Sequence, residues 1–340
     1  MKHLRLVLVV ILMLTVFLAA CQPAPAPAPE ESSEDELPLF YGAYATPIEE
    51  PWDGVIHAAL QKAADDGKIR YEYQDDIGYA GDMERILREI SEDKKPDAIF
   101  GDAFGNEEAV RRVGAEYPDI AFVFGSGLGP AEPNVAVFDN WIHEPAYLSG
   151  LLAGGLTETG TIGVVGGHPV PEVNRIVNAF IDGVKEVNPD ATVLVTFINS
   201  WFDPAAAKEA ALAQVDSGAD ILFAERFGVI EAAVENGIYA FGNMSDQNEL
   251  GPEYVVSGPV WDMGPTVDYV IKQVKADSFT AQDLKDFSMV AKGGASLAPF
   301  HGLDEKVPAE ILDLVKQREQ EIKDGLFRVN IAEETPAGAQ

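Results

Sequence analysis

From Leu37 onward short apolar runs alternate with segments of helical spacing, and this alternation constrains the fold more than any other feature of the chain. Strand-type runs fall at residues 39–45, 69–73, 97–101, 120–124 and 135–139, with helical patterns at 52–64, 80–93 and 106–117 between them. A second series follows: helix 144–156, strand 162–165, helix 170–187, strand 192–197, helix 204–216, strand 221–223, helix 229–235, strand 238–241 and an extended run at 254–258. Helical spacing returns at 263–276 and 311–322. Short strands separated by helices mark right-handed βαβ units and parallel sheets. Runs as apolar as Ile221-Leu222-Phe223 suit sheets buried on both faces. Two series predict an α/β protein of two doubly wound parallel-sheet lobes joined by a hinge. The first lobe is expected over 37–140 with 259–285, the second over 141–258 with about 286–325, and a tail over 326–340. Crossings between lobes are expected near 139–142, near 258–260 and after Phe287. A single (β/α)₈ barrel is the alternative; the adjacent strand runs at 120–139 break the strict alternation it requires.

The N-terminus is of another kind. Lys2 and Arg5 precede an apolar run from Leu6 to Leu14, and Leu18-Ala19-Ala20-Cys21 follows. This is the layout of a secretory signal over residues 1–20. The Leu-Ala-Ala-Cys motif resembles the lipobox at which a lipoprotein is cut before a lipidated cysteine, here Cys21. Cys21 is the only cysteine, and it stands where that reading requires. A transmembrane anchor is the competing reading, but the apolar run is shorter than the roughly 20 residues a span needs. Residues 22–36, QPAPAPAPEESSEDE, read as an extended, self-repelling spacer. With no cysteine left for disulfides, the folded part must rest on its hydrophobic core, for which the 47% apolar content suffices.

The charge excludes some functions. Fifty-six acidic against 24 basic residues give −32, and loss of Lys2 and Arg5 with the signal deepens this by two. Such a surface repels nucleic acid and anionic head groups, so lipid rather than electrostatics would hold the domain at a membrane. No dinucleotide fingerprint or P-loop is present, and Gly163–Gly167 (GVVGG) reads as an ordinary turn. The five histidines show no ligand spacing, so no metal or cofactor is expected. Ser126, in GSGLG, does not match a nucleophile elbow and reads as a turn.

Ligands of open α/β sheets bind beyond the carboxyl ends of the strands. There the sequence places Glu49-Glu50-Pro51-Trp52-Asp53, Asp102-Ala103-Phe104, Gly167-His168-Pro169, Ser200-Trp201-Phe202-Asp203, Glu225-Arg226-Phe227, Asn243-Met244-Ser245-Asp246 and Trp261-Asp262. Three of the four tryptophans lie in these loops, beside carboxylates or amides. Flat rings stack on a planar heterocycle, and carboxylates accept from its amino or hydroxyl groups. Each residue also has a structural reading. A tryptophan at a strand end can plug a core, Asp203 before Pro204 is a good helix cap, and Asp53 and Asp246 suit caps or turns.

The blocks AYLSGLLAGG (146–155), NAFIDGVKEVNPD (178–190) and NSWFDP (199–204) resemble the BMP (basic membrane protein) family of ABC-transporter substrate-binding lipoproteins; the likeness runs from about residue 39 to 301 and is densest over 147–220. The resemblance implies a two-lobed fold of the type I periplasmic-binding-protein kind. It implies a small ligand, a purine nucleoside or base, captured between the lobes and delivered to a permease with an ATPase partner. By that likeness Trp201 or Phe202 stacks on the base from the second lobe, and Trp52 or Phe104 faces it from the first. Asp246 accepts ribose hydroxyls, and Asn178 bonds to or supports the pocket. Asp53, Asp203 and Arg226 complete the expected ligand-binding set with Trp261, which stands where other binders carry a lysine. Two loops depart from the family pattern. Glu49-Glu50-Pro51 precedes Trp52 where Asp and Gly are usual, and Ala224-Glu225-Arg226-Phe227 replaces a Gln-His-x-Asp run.

The expected protein is a monomeric solute-binding lipoprotein without catalysis, lipid-anchored at the extracytoplasmic face of a cell membrane. A ligand sensor for a membrane receptor would carry the same binding residues. An extracytoplasmic nucleoside-processing enzyme would need an acid–base pair such as Asp53 and Asp246, but the clustered aspartates of such a site are missing. Cys21→Ala is expected to leave the domain unanchored in cell fractionation and to impair ligand uptake. Equal uptake by an unanchored protein would make the tether incidental.

Overall fold

The computed structural model describes residues 37–340; the expected signal, Cys21 and the spacer lie outside these residues. Residues 38–340 form one compact unit. Its first lobe contains β1 (Leu39–Ala43), α1 (Pro51–Asp65), β2 (Arg70–Gln74), α2 (Asp82–Glu89), β3 (Ala98–Asp102), α3 (Glu107–Glu116), β4 (Ala121–Gly125) and β5 (Val135–Phe138). The strands pair in the order β2-β1-β3-β4-β5, all parallel. β1, β3, β4 and β5 are buried throughout, while edge strand β2 (RYEYQ) is largely exposed.

The second lobe runs through α4 (His143–Leu156), β6 (Thr161–Gly166), α5 (Pro171–Val187), β7 (Thr192–Phe197), α6 (Pro204–Asp216), β8 (Ile221–Ala224), α7 (Val229–Asn236), β9 (Tyr239–Phe241) and β10 (Val255–Ser257). Its sheet order is β10-β9-β8-β6-β7, again all parallel. Two separate five-stranded sheets rule out the single closed barrel. In each order the direction of winding reverses beside the first strand of the series, which is where open sheets leave a crevice.

The chain leaves the second sheet through β11 (Pro259–Trp261), which pairs antiparallel with β12 (Ala295–Leu297). Between them α8 (Gly264–Lys275) packs on α1, and Lys68 meets Asp268 at 2.7 Å. Residues 281–284 then run beside β5, with Leu284 N–H donating to the Val137 carbonyl at 2.7 Å. After β12, α9 (Ala309–Lys323) packs on α4 of the second lobe. β11 falls at the crossing expected near 258–260, whereas β12 has no counterpart in the sequence pattern, since three residues are too few for a periodicity. Segment 326–340, expected as a tail, lies against α5 and the edge of β7.

α4 is buried on nearly every side and packs against α5 more extensively than any other helix pair. Glycines permit this contact. A Cβ on Gly150 would sit 2.1 Å from the Phe180 carbonyl oxygen, and one on Gly183 would sit 2.1 Å from that of Tyr147. Both glycines belong to the sequence blocks that carry the family resemblance, so those blocks record helix packing. Gly150→Ala is expected to force the helices apart and cost about 1–3 kcal/mol or more, read from the denaturant midpoint. An unchanged midpoint would show that the pair can separate freely.

Candidate ligand-binding cleft

The carboxyl ends of the two sheets face one cleft of about 510 Å³. Its walls come from the loops after all five strands of one lobe and after β6, β7 and β8 in the other, with Glu333 added from the C-terminal segment.

On the first lobe, α1 begins with Glu50 as N-cap and Pro51 in the first turn. The Glu50 carboxylate accepts from the N–H of Trp52 at 2.8 Å and of Asp53 at 3.4 Å. This cap fixes the two cleft residues that follow it. The Trp52 ring stacks on Phe138 at 5.8 Å and rests against Trp261 at 5.3 Å. Asp53 is 1% exposed. Its Oδ2 accepts from the Thr46 hydroxyl at 2.6 Å and amide at 2.9 Å, while Oδ1 is buried without a hydrogen-bond partner among the described residues. Burial raises its pKa to about 7 against the pull of the Thr46 bonds, with Glu50 and Asp75 adding to the rise. Burial, and then Asp53, likewise push the neighbouring Asp102 well above the usual carboxylate range, opposed by the Phe104 amide and the Ser126 hydroxyl. This wall therefore carries two carboxyls whose ionisation burial opposes, and one oxygen of Asp53 has no donor among the described residues.

Arg226 crosses from the second lobe. Its side chain is 6% exposed. Nε and Nη2 donate to Glu225 at 2.9 and 2.6 Å, and Nη1 donates to the Trp201 carbonyl at 2.8 Å and reaches Glu50 Oε1 at 3.4 Å. Glu225 also accepts from Gly167 N–H at 2.9 Å. One guanidinium thus ties three loops of the second lobe to the α1 cap of the first. Burial lowers its pKa, and the two carboxylates more than reverse that. The Trp201 ring contacts His168, at 4.6 Å, and Phe104, at 5.3 Å and 90°.

A second guanidinium lies where the chain passes between lobes. Arg175, 2% exposed, bonds Asp139 through Nη2 and Glu333 through Nη1 at 3.2 Å, and its face covers Trp141 at 4.1 Å. Glu172 bonds Asn140, and burial, then Asp139 and Glu225, raise its pKa to about 8.

Of the residues expected from sequence, Trp52, Asp53, Phe104, Trp201 and Arg226 line this cleft and the other five do not. Asn178 holds the backbone of segment 332–334. Phe202 is 57% exposed and meets Phe227 edge-on. Asp203 caps α6 by accepting from Ala206 N–H at 3.0 Å. Asp246 pairs with His301 at 2.7 Å, outside the cleft. Trp261 is buried behind Trp52, its Nε1–H donating to Ser288 at 3.0 Å. It supports a wall instead of forming one. Nor do Phe104 and Trp201 frame a slot for a flat ring in this conformation, since the edge of one meets the face of the other. Sequence reasoning missed Tyr79, Trp141, Glu172, Arg175 and Glu333, and it read Ser126, which lines the cleft, as a turn. Asp102 was recognisable as a strand-end carboxylate, but nothing in the sequence places Glu333 beside Arg175. Among the described residues no cluster of three His, Cys, Asp or Glu side chains is arranged to hold a metal ion, and no helix is long and apolar enough to cross a membrane.

The family model for Bmp, the PnrA-like ABC transporter substrate-binding proteins, matches residues 47–291. A putative glucose-binding protein of an ABC transporter from Haloferax volcanii is 35% identical over 59% of this chain, a stretch spanning about half (52%) of that relative. A purine-binding protein of Brucella abortus is 30% identical over 76% of this chain and 72% of its own length. Among solved structures, a solute-binding protein of an ABC transporter system from Aeropyrum pernix superimposes with a TM-score of 0.73 at 17% identity, covering 87% of this chain and 94% of that one. A transcriptional activator of the comK gene from Bacillus halodurans gives 0.70 at 21% identity, covering 85% and 99%. At these identities the superpositions speak for the fold, the two-lobed architecture of periplasmic binding proteins. With the family model spanning most of the two lobes, this chain belongs to the Bmp family of ABC transporter substrate-binding proteins.

Proposed function

We propose that this protein captures a purine nucleoside or base between its lobes and delivers it to the permease of an ABC importer. In this reading it works as a monomer held at the extracytoplasmic face of the cell membrane by lipid on Cys21. The observation that carries the ligand class is the pairing of an aromatic face, Trp201, with the buried carboxyls of Asp53 and Asp102 in one cleft, Asp53 keeping one oxygen without a partner among the described residues. The cleft volume lies within the roughly 300–1,000 Å³ of small-molecule sites. A purine offers a flat ring to Trp201 and N–H or hydroxyl donors to the carboxyls. The names of two family members, purine-binding in Brucella and nucleoside-binding in Lactococcus, support the same class. The strands and loops that pass between lobes, at 139–142, β11 and β12, serve as the hinge, and contacts made by both lobes favour closure. Membership of a solute-binding family speaks for binding without turnover.

Calorimetry or thermal shift across purine nucleosides, bases and hexoses tests the ligand. A purine should bind with about micromolar affinity or better; a response to hexoses alone would sink the purine reading. Trp201→Ala should weaken that affinity by about tenfold or more through lost stacking, with the circular dichroism spectrum unchanged. Unaltered affinity would make Trp201 a packing residue.

Asp53 supplies a pH test. A ligand donor bonded to its carboxylate favours the ionised form and lowers its pKa from about 7 in the complex. Affinity is therefore expected to rise as pH climbs from about 5 to 7 and to level off above, by up to about tenfold per unit. Asp53→Asn should flatten the profile, and an identical profile in the variant would remove Asp53 from the ligand contacts.

A further inference from the structure

The cleft has a wall that belongs to neither sheet. Segment 329–340 lies along α5, where two asparagines one helical turn apart grip its backbone. Asn178 donates to the carbonyls of Ala332 and Glu334 at 3.0 and 2.9 Å, and Asn174 to that of Glu333 at 2.9 Å. Further on, Gln340 pairs with the edge of β7, donating to Val195 O at 3.0 Å and accepting from Phe197 N–H at 2.8 Å. These bonds are to backbone and ignore side-chain identity. Of the whole segment only Glu333 lines the cleft, and its carboxylate accepts from Arg175.

Arg175 would otherwise suit an anion. A guanidinium presents a planar fork of donors matched to phosphate or carboxylate. This one stands at the cleft with its Nε unpartnered among the described residues. Asp139 and Glu333 occupy its two terminal nitrogens. Arg226 is occupied in the same way by Glu225 and Glu50. Both cationic groups of the cleft are thus matched by two carboxylates each, and Asp53, Asp102 and Glu172 line it besides. A phosphate entering this site would compete with Glu333 for one cation, and wherever the further carboxyls are ionised it would meet their charge in poorly screened space.

We propose that Glu333 is a specificity-determining residue: carried into the cleft by the 329–340 strap, it occupies Arg175 and restricts the site to ligands without a phosphate or carboxylate. The identity of the accepted ligand rests on the purine reading above; the exclusion of anions does not.

The test compares wild type, Glu333→Gln and Glu334→Gln in the full chain, with a purine nucleoside, its 5′-monophosphate and inorganic phosphate as probes. Glu334 lies one residue on and outside the cleft lining, so its variant makes the same change in net charge without uncovering Arg175. Wild type should bind the monophosphate about 100-fold more weakly than the nucleoside. Glu333→Gln should strengthen monophosphate binding about tenfold or more and so narrow the preference for nucleoside over monophosphate. Glu334→Gln should change neither, and Glu333→Ala should repeat the gain. Equal wild-type affinity for nucleoside and monophosphate would overturn the proposal, as would indistinguishable behaviour of the two glutamine variants. If wild type binds no purine, the comparison is read with inorganic phosphate. A thermal shift confined to the Glu333 variants keeps the strap's role while the purine reading falls, and no shift in any variant sinks both.

Discussion

The cleft depends on one buried guanidinium. Arg226 holds Glu225, the Trp201 carbonyl and Glu50, so the loops after β7 and β8 and the start of α1 share a single cation. Glu225 extends the network to the loop after β6 through Gly167. A buried ion pair gains little net stability over an apolar substitute, because desolvation offsets attraction. Removing one partner from it nonetheless costs about 3–5 kcal/mol, since the other charge is left stranded. The arrangement thus specifies geometry more than it adds stability. It sets where Trp201 stands, and through the Glu50 cap it sets where α1 begins and so where Trp52 and Asp53 point.

Around that node the site is under-compensated. Asp53 and Glu172 have pKa values raised to about 7 and 8, chiefly by burial. A carboxyl raised in the folded state contributes most to stability below its unfolded pKa, near 4, and that contribution is lost as pH rises through the folded value. Between about pH 4 and pH 8 the unliganded cleft therefore grows steadily less favourable. A ligand rich in N–H or O–H donors recovers part of that loss, and an anion adds to it. On the proposed function, the cost of poorly satisfied groups in the free protein becomes selectivity when the cleft closes on its ligand. This effect is separate from the surface excess of acid that gives the chain its charge of −32. Exposed carboxylates are screened by salt within about 10 Å at 0.1 M, whereas those in the cleft are screened much less.

The fold was legible because parallel strands buried on both faces leave near-continuous apolar runs that cannot be mistaken for loops. β3, β4 and β8 coincide with such runs to within a residue or two. The topological rule that ligands gather beyond strand carboxyl ends pointed to loops that border one cleft, which Trp52, Asp53, Phe104, Trp201 and Arg226 line. It failed within those loops, where neighbouring side chains point in different directions. Trp201 lines the cleft and Phe202 faces away. Asp53 is buried at the site, while Asp203, in a similar helix-entry position, caps a helix. Trp261 shows the same ambiguity, since a tryptophan at a strand end serves equally as a plug. Glu333 was beyond reach of sequence reasoning because its partner is 158 residues away and no periodicity links them.

The residues that make the chain recognisable and those that shape its ligand site are different sets. Gly150 and Gly183 mark the family blocks because two helices touch there, and any binder built on this scaffold needs that contact whatever it binds. Two loops read in the sequence as departures from the family it resembles are the one before Trp52 and the run after β8. In the folded protein Glu50 from the first and Arg226 from the second meet at 3.4 Å across the cleft. Without Glu50 the guanidinium would keep Glu225, and without Arg226 the glutamate would keep the Trp52 and Asp53 amides, so what the contact adds is a link between the two loops. The ion pair they form occupies the cleft floor between Trp201 and α1. It changes the surface offered to a ligand while leaving the helices, sheets and hinge of the scaffold untouched, and for that reason relatives that share this scaffold are a better guide to the fold than to the ligand.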